Sequence, residues 1–219
     1  MLDKNIRQRI IALIQREVVP AVGCTEPIAV ALCTARATET LGCRPEKITA
    51  LLSANILKNA MGVGIPGTGM IGLPIAIALG AIVGKSEYEL EVIKDVTPDT
   101  LEEGKKYVDE KRIEIKLKSD ITEKLYIDVI CEAAGHKAEA VIAGSHTNFV
   151  YIAKDGETLL DVKKTSGEDG EQGDPELCMR TVYDFATTTP LNEIAFILKT
   201  KQYNIKAAEE SIKGNYGHC

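Results

Sequence analysis

The chain has 219 residues, of which 45% are hydrophobic and 26% charged, enough for one large domain or two small ones with real cores. A net charge of -6, aromatics at 5% and no tryptophan exclude both the basic face of a nucleic-acid binder and a base-stacking platform. The first residues lack the basic start, apolar core and cleavage site of a signal peptide, so a cytoplasmic chain with six reduced cysteines is expected.

Asp3 is placed to cap a first helix over about 3–19, with Ile6, Ile10, Leu13, Ile14 and Val18 at helical spacing and Pro20 ending it. A second helix is expected over about 27–41, with Gly42 at its C-terminal cap. A short strand over 48–53 leads into a polar turn and a glycine-rich loop, then an apolar helix to about Val83. No charge lies between Lys58 and Lys85, a run long enough to cross a bilayer, but Gly62, Gly64, Pro66, Gly67, Gly69 and Gly72 break its first half. A buried loop and a buried helix are expected there, with no membrane span.

Composition changes at Gly84. Residues 88–96 read as a strand, 98–110 as an amphipathic helix, and 112–118 as a half-buried strand in which Ile113, Ile115 and Leu117 alternate with charges. Further strands are expected over 125–133, 138–144, 149–153 and 158–163. An acidic loop follows over 166–176, without the ligand spacing of a calcium loop, and helices broken at Pro190 close the chain. The fold class is α+β, in three segments: 1–84 helical with the glycine-rich loop, 85–165 an inserted α+β domain, and 166–219 an acidic loop with helices returning to the first segment.

Several residues are candidates for chemistry. Cys24, in Gly23-Cys24-Thr25-Glu26-Pro27, precedes a helix N-terminus, where free N–H groups favour a thiolate able to ligate a metal or act as a nucleophile. The alternative is a small packing residue beside a Thr25 or Glu26 cap. Cys33 lies nine positions on, on the opposite side of the helix at about 100° per residue, and reads as core. There is no C-x-x-C pair. If the turn after Ser53 is helical, Asn55, Lys58 and Asn59 share a face. With Gly67 and Thr68 of the loop they suit a small carboxylate; the alternative is a solvated helix end.

The loop contains a literal G-x-G-x-x-G, but a polar turn precedes it and Pro66 sits within it, so a dinucleotide site is not expected. Thr68 stands where a phosphate-binding loop needs lysine. Gly144-Ser145-His146-Thr147-Asn148 interrupts an apolar stretch; it is a hairpin turn or it offers His146 for proton transfer.

Taken in order, Gly23-Cys-Thr-Glu-Pro27, Lys58-Asn59 with Gly62 and Gly64, Pro66-Gly-Thr-Gly-Met70, Gly72-Leu-Pro74, Ser145-His-Thr-Asn148 and Gly214-Asn-Tyr-Gly217 resemble the L-cysteine desulfidase family, related to the iron–sulfur L-serine dehydratases. The chain resembles the N-terminal half of that family. The resemblance implies a [4Fe–4S] cluster held by three cysteines with one iron open to substrate, Cys24 matching the first ligand. Cys131, Cys178 and Cys219 match no further one. It implies conversion of L-cysteine and water to pyruvate, ammonia and sulfide. Ser53, Asn55, Lys58, Asn59, Gly67 and Thr68 would bind the amino acid, with His146 the candidate base. A C-terminal half or second subunit would supply the remaining ligands, and a homo-oligomer is compatible with the family. The alternative function is a non-catalytic amino-acid-binding or regulatory module of the same descent.

Overall fold

The computed structural model describes residues 2–162 and 175–214. The chain divides into two compact units, one from its two ends and one from its middle, with boundaries near 20 and 166.

In the first unit, helix α1 (Lys4–Glu17) starts at Asp3, whose carboxylate accepts from the N–H groups of Asn5 and Ile6, as the sequence predicts. Its face of Ile6, Ile10, Ile11 and Ile14 packs on Phe185. Arg7 Nε donates to Glu193 Oε2 at 3.1 Å. The second unit begins with helix α2 (Thr25–Leu41), closed by Gly42 at φ 87 with its N–H on the Thr38 carbonyl. There follow strand β1 (Lys47–Leu52), helix α3 (Ala54–Ala60), a small hairpin of β2 (Gly64–Ile65) and β3 (Met70–Ile71), and helix α4 (Leu73–Ile82). Helix α5 (Pro98–Asp109) opens on a Thr97–Thr100 capping box. Strands β4 (Ile113–Leu117), β5 (Tyr126–Ala133), β6 (His136–Ala143), β7 (Phe149–Lys154) and β8 (Glu157–Asp161) complete it. Helices α6 (Met179–Thr188), α7 (Leu191–Ile194) and α8 (Leu198–Lys213) belong to the first unit.

The fold is α+β. One mixed sheet runs in the order β4-β1-β5-β6-β7-β8, with β1 parallel to β4 and every other pair antiparallel. β1, the short strand expected over 48–53, lies inside the sheet, and residues 21–162 form one unit across the boundary read at 84. The reason is pairing: Ile48 to Leu52 aligns with both Ile113 to Leu117 and Ile127 to Cys131, leaving β1 no unsatisfied backbone edge.

α2 packs on β5, β6 and β7 and, on its other side, against α4. Its residues 27–35 are buried on every side, and Ile28, Val30 and Leu32 have no exposed surface. Each such side chain contributes roughly 1.5–3 kcal/mol of transfer free energy. α4 approaches α2 so closely that a Cβ on Gly80 would lie 2.5 Å from the Ala31 carbonyl oxygen. Its apolar run is thus buried by protein, and no helix among the described residues is long and apolar enough to cross a membrane.

Two expectations need correction. Residues 88–96 are not a strand: a 3-10 turn over Ser86–Glu91 runs into further turns, with Glu89 at φ 48. The alternation of Leu90 and Val92 does reflect burial, but the backbone bonds inward to other partners. Val22 donates to the Leu90 carbonyl, Lys85 to that of Val92, and Ser86 N–H to the Glu39 carboxylate. Leu117 is not inward either; it is 52% exposed at the end of β4, an edge strand.

Candidate functional site

The sheet has one end at which several connections converge. Leu52 ends β1, Tyr126 begins β5 and Ala143 ends β6, and Ser53 N–H donates to the Tyr126 carbonyl. α3 leaves from this end, and the turn carrying His146 joins β6 to β7 there. α2 runs from this end toward the other, because Cys33 donates to Ala140 O at 3.1 Å while Lys154, at the far end, donates to the Leu41 carbonyl.

Cys24 is the N-cap residue of α2 and is exposed. Its thiol donates to Glu26 Oε2 at 3.1 Å, and Asn59 Nδ2 donates to Glu26 Oε1 at 3.2 Å. The Glu26 carboxylate therefore joins the start of α2 to the end of α3. The glycine-rich hairpin closes the same corner: a Cβ on Gly23 would lie 2.6 Å from Pro66 Cγ. The fold thus brings together Cys24, Asn59 and the loop around Pro66, which lie up to 42 positions apart by their numbering (66 minus 24).

The thiolate expected at Cys24 is not favoured. Burial pushes the thiol above its ordinary value, and the Glu26 carboxylate adds to this by accepting a hydrogen bond from the protonated thiol and repelling negative charge. Backbone N–H groups of Glu26 and Thr25 act the other way, as the helix N-terminus predicts, but do not prevail. Glu26 is held below the usual carboxylate range by the Cys24 thiol and, among smaller effects, the Asn59 amide. Cys33, fully buried, is pushed much further up by desolvation.

The other candidate residues divide by what already engages them. Ser53 is buried and caps α3; its hydroxyl accepts from Ile56 N–H and donates to the Lys124 carbonyl at 2.8 Å. Thr68 is buried, donates to Ile65 O at 2.7 Å and accepts from Met70 N–H at 3.0 Å, so its hydroxyl folds the hairpin. Both side chains serve local structure, where the sequence had placed them among ligand contacts. Gly67, at φ 74, leaves open space where a Cβ would stand.

The α3 turn is helical, so Asn55, Lys58 and Asn59 do share a helix, and all three are exposed. Asn55 lines a cleft of about 340 Å³ with Lys118, Ser119 and Thr122, apart from Glu26. Lys58 has no ion-pair partner among the described residues. His146 sits in a turn stapled by Asn148, whose side chain donates to the Ala143 carbonyl at 2.9 Å. No hydrogen bond joins His146 to Cys24, Lys58 or Asn59 among the described residues.

Cys131 is buried against Thr38, Cys43 lies beyond the far end of α2, and Cys178 caps α6 in the other unit. Cys219 and most of the acidic loop lie outside the described residues, as do 215–217 of the final glycine motif. Among the described residues no three His, Cys, Asp or Glu side chains gather as a metal centre. Sequence reasoning gave Glu26 only a capping role. The available signal was an acid two positions after the cysteine in the first helical turn.

The fold and site define an α+β chain that presents one polar thiol corner at a sheet end. No family model and no solved structure matches the chain. It is similar to a UPF0597 protein of Bacteroides fragilis, 69% identical over 218 residues that cover 100% of this chain and 51% of that protein. A UPF0597 protein of Bacteroides thetaiotaomicron is 65% identical over 212 residues, 97% and 49% of the two chains. One of Porphyromonas gingivalis is 48% identical over 224 residues, 100% and 52%. The chain spans about half the length of these curated relatives.

Proposed function

We propose that this chain forms the N-terminal half of a cytoplasmic iron–sulfur lyase resembling L-cysteine desulfidase, with the other half supplied by further polypeptide. The observation that carries the reading is the Cys24–Glu26–Asn59 constellation beside the Pro66 hairpin. An exposed thiol at a helix N-terminus fits one ligand of a [4Fe–4S] cluster, and Cys24 is the residue that would hold it. When bound, such a cluster would supply a Lewis acid for the departing sulfur. One thiol does not hold a cluster, so the remaining ligands come from outside this corner.

The chain's own residues do the rest. Among the described residues the Asn59 amide bonds only Glu26, which leaves it one N–H to donate, and Lys58, without an ion-pair partner there, adds a positive charge on the same helix. Together they bind the carboxylate of a small amino acid. Glu26 accepts a hydrogen bond from the Cys24 thiol and orients it at the corner; ligation by the sulfur would require the thiol to give up its proton as the metal binds. His146 is the candidate acceptor of the substrate α-proton, after which sulfide leaves and the aminoacrylate hydrolyses to pyruvate and ammonia.

A second reading is a non-catalytic amino-acid-binding module, favoured by the burial and the hydrogen bond to Glu26 that push the Cys24 thiol upward. Anaerobic reconstitution of the full-length Bacteroides fragilis relative with iron and sulfide separates the two. The lyase reading expects equal release of sulfide and pyruvate from L-cysteine, lost when the residue matching Cys24 is replaced by serine. No release from the reconstituted protein overturns it. Calorimetric binding of L-cysteine without turnover leaves the module.

A further inference from the structure

α8 runs for 16 residues without a single buried side chain. It carries Leu198, Ile205 and Ile212, which are 65%, 41% and 86% exposed. Their spacing of seven residues puts them on one stripe, drifting only about 20° per repeat along roughly 21 Å of helix. The next residue of each repeat is Lys199, Lys206 and Lys213, a second stripe about 100° further round. These lysines have no ion-pair partner among the described residues. In the same unit, α6 exposes Met179, Val182 and Tyr183, spaced for one helix face. A helix of this length with nothing packed on its apolar stripe is marginal in water.

We infer that the Leu198–Ile205–Ile212 stripe of α8 is a docking surface for the other half of the longer protein, through a segment with an apolar seam flanked by acidic residues. Two observations select this occupant. The relatives match the whole of this chain at up to 69% identity and are about twice as long, so a polypeptide of similar size accompanies this sequence elsewhere. The lysine stripe argues against a second copy, because antiparallel two-fold pairing of α8 with itself sets lysines beside lysines. The docking shares with the proposed function only the polypeptide it calls on. It stands or falls on amide exchange, not on activity or a cluster.

The test is hydrogen exchange on this chain alone and on a chimera in which it replaces the matching half of the Bacteroides fragilis relative. The full-length relative serves as a control for folding. Amides of α8 are expected to exchange at least 100-fold more slowly in the chimera, and in the matching segment of the relative, than in this chain alone. The L198K/I205K/I212K chimera should lose that protection while amides of the central sheet keep theirs. Equal exchange in chain, chimera and relative overturns the inference. So does a micromolar homodimer of this chain whose α8 is already protected, or protection of α8 in this chain by anionic phospholipid vesicles to the level of the chimera.

Discussion

The Cys24 thiol donates to the Glu26 carboxylate across two positions of one helix start, and the same carboxylate receives Asn59 from another helix. Together with burial, this relationship raises the Cys24 thiol above its ordinary value. In Glu26→Gln the carboxylate charge is gone, while the backbone N–H groups that lower the thiol pKa persist. Cys24 should therefore ionise at lower pH in the variant. The alkylation rate of a single-cysteine chain, followed against pH, should rise at neutral pH by several-fold, and an unchanged profile would show that Glu26 does not govern it. In either background Cys24 should react much faster than fully buried Cys33.

Gly23→Ala should destabilise the chain by about 1–3 kcal/mol in urea unfolding, because the added methyl enters a 2.6 Å contact with Pro66 Cγ. The clash is with a side chain, so Pro66→Ala in the same molecule should recover much of the loss. A double variant no better than additive would place the strain elsewhere.

Thr68→Val should cost roughly 1–2 kcal/mol of stability, since the buried hydroxyl both donates to Ile65 O and accepts from Met70 N–H within the hairpin. Lys58→Ala should change stability by less than about 0.5 kcal/mol, because the side chain is exposed and has no ion-pair partner among the described residues. If Lys58 binds the substrate carboxylate, the same change should weaken amino-acid binding about tenfold or more. Thermal unfolding and calorimetry read the two effects separately.

Asp128 gives a pH prediction. It is 4% exposed on β5, its Oδ1 has no hydrogen-bond partner, and Lys118 Nζ is 3.7 Å from Oδ2. Burial first, and then Glu139, raise its pKa from 3.8 to about 6, against the pull of Lys118. A raised folded-state value means the folded chain holds the proton more tightly. The stabilisation is complete below about 4 and is lost as pH rises through about 6. Asp128→Asn should flatten the stability profile across that window and raise stability at pH 7 by up to roughly 3 kcal/mol. A profile unchanged from wild type would show that Asp128 does not control it.

Local chemistry made most elements legible. The Asp3 cap, the Gly42 stop, the 98–110 amphipathic helix and the alternation of Ile113 with Ile115 are short-range patterns, and the helices and strand they announce are present. The same logic mistook 88–96 for a strand, because alternating burial there comes from a chain of turns whose partners, Val22 and Glu39, are distant in sequence.

Of the site, the sequence by itself determined which residue types are available: a cysteine at a helix start, an amide and a lysine on a helical turn, and a glycine-rich loop around Pro66. Only the tertiary structure decided which of them meet. Ser53 and Thr68 read as ligand contacts by the family resemblance, but backbone groups at hydrogen-bond distance already engage their hydroxyls. Glu26 read as a cap, yet α3 carries Asn59 to its other oxygen. Periodicity reports which side of an element is buried; it carries no information about what waits on the far side. Long-range pairing, such as the insertion of β1 between β4 and β5, settles that, because burying a strand requires both its edges to find partners.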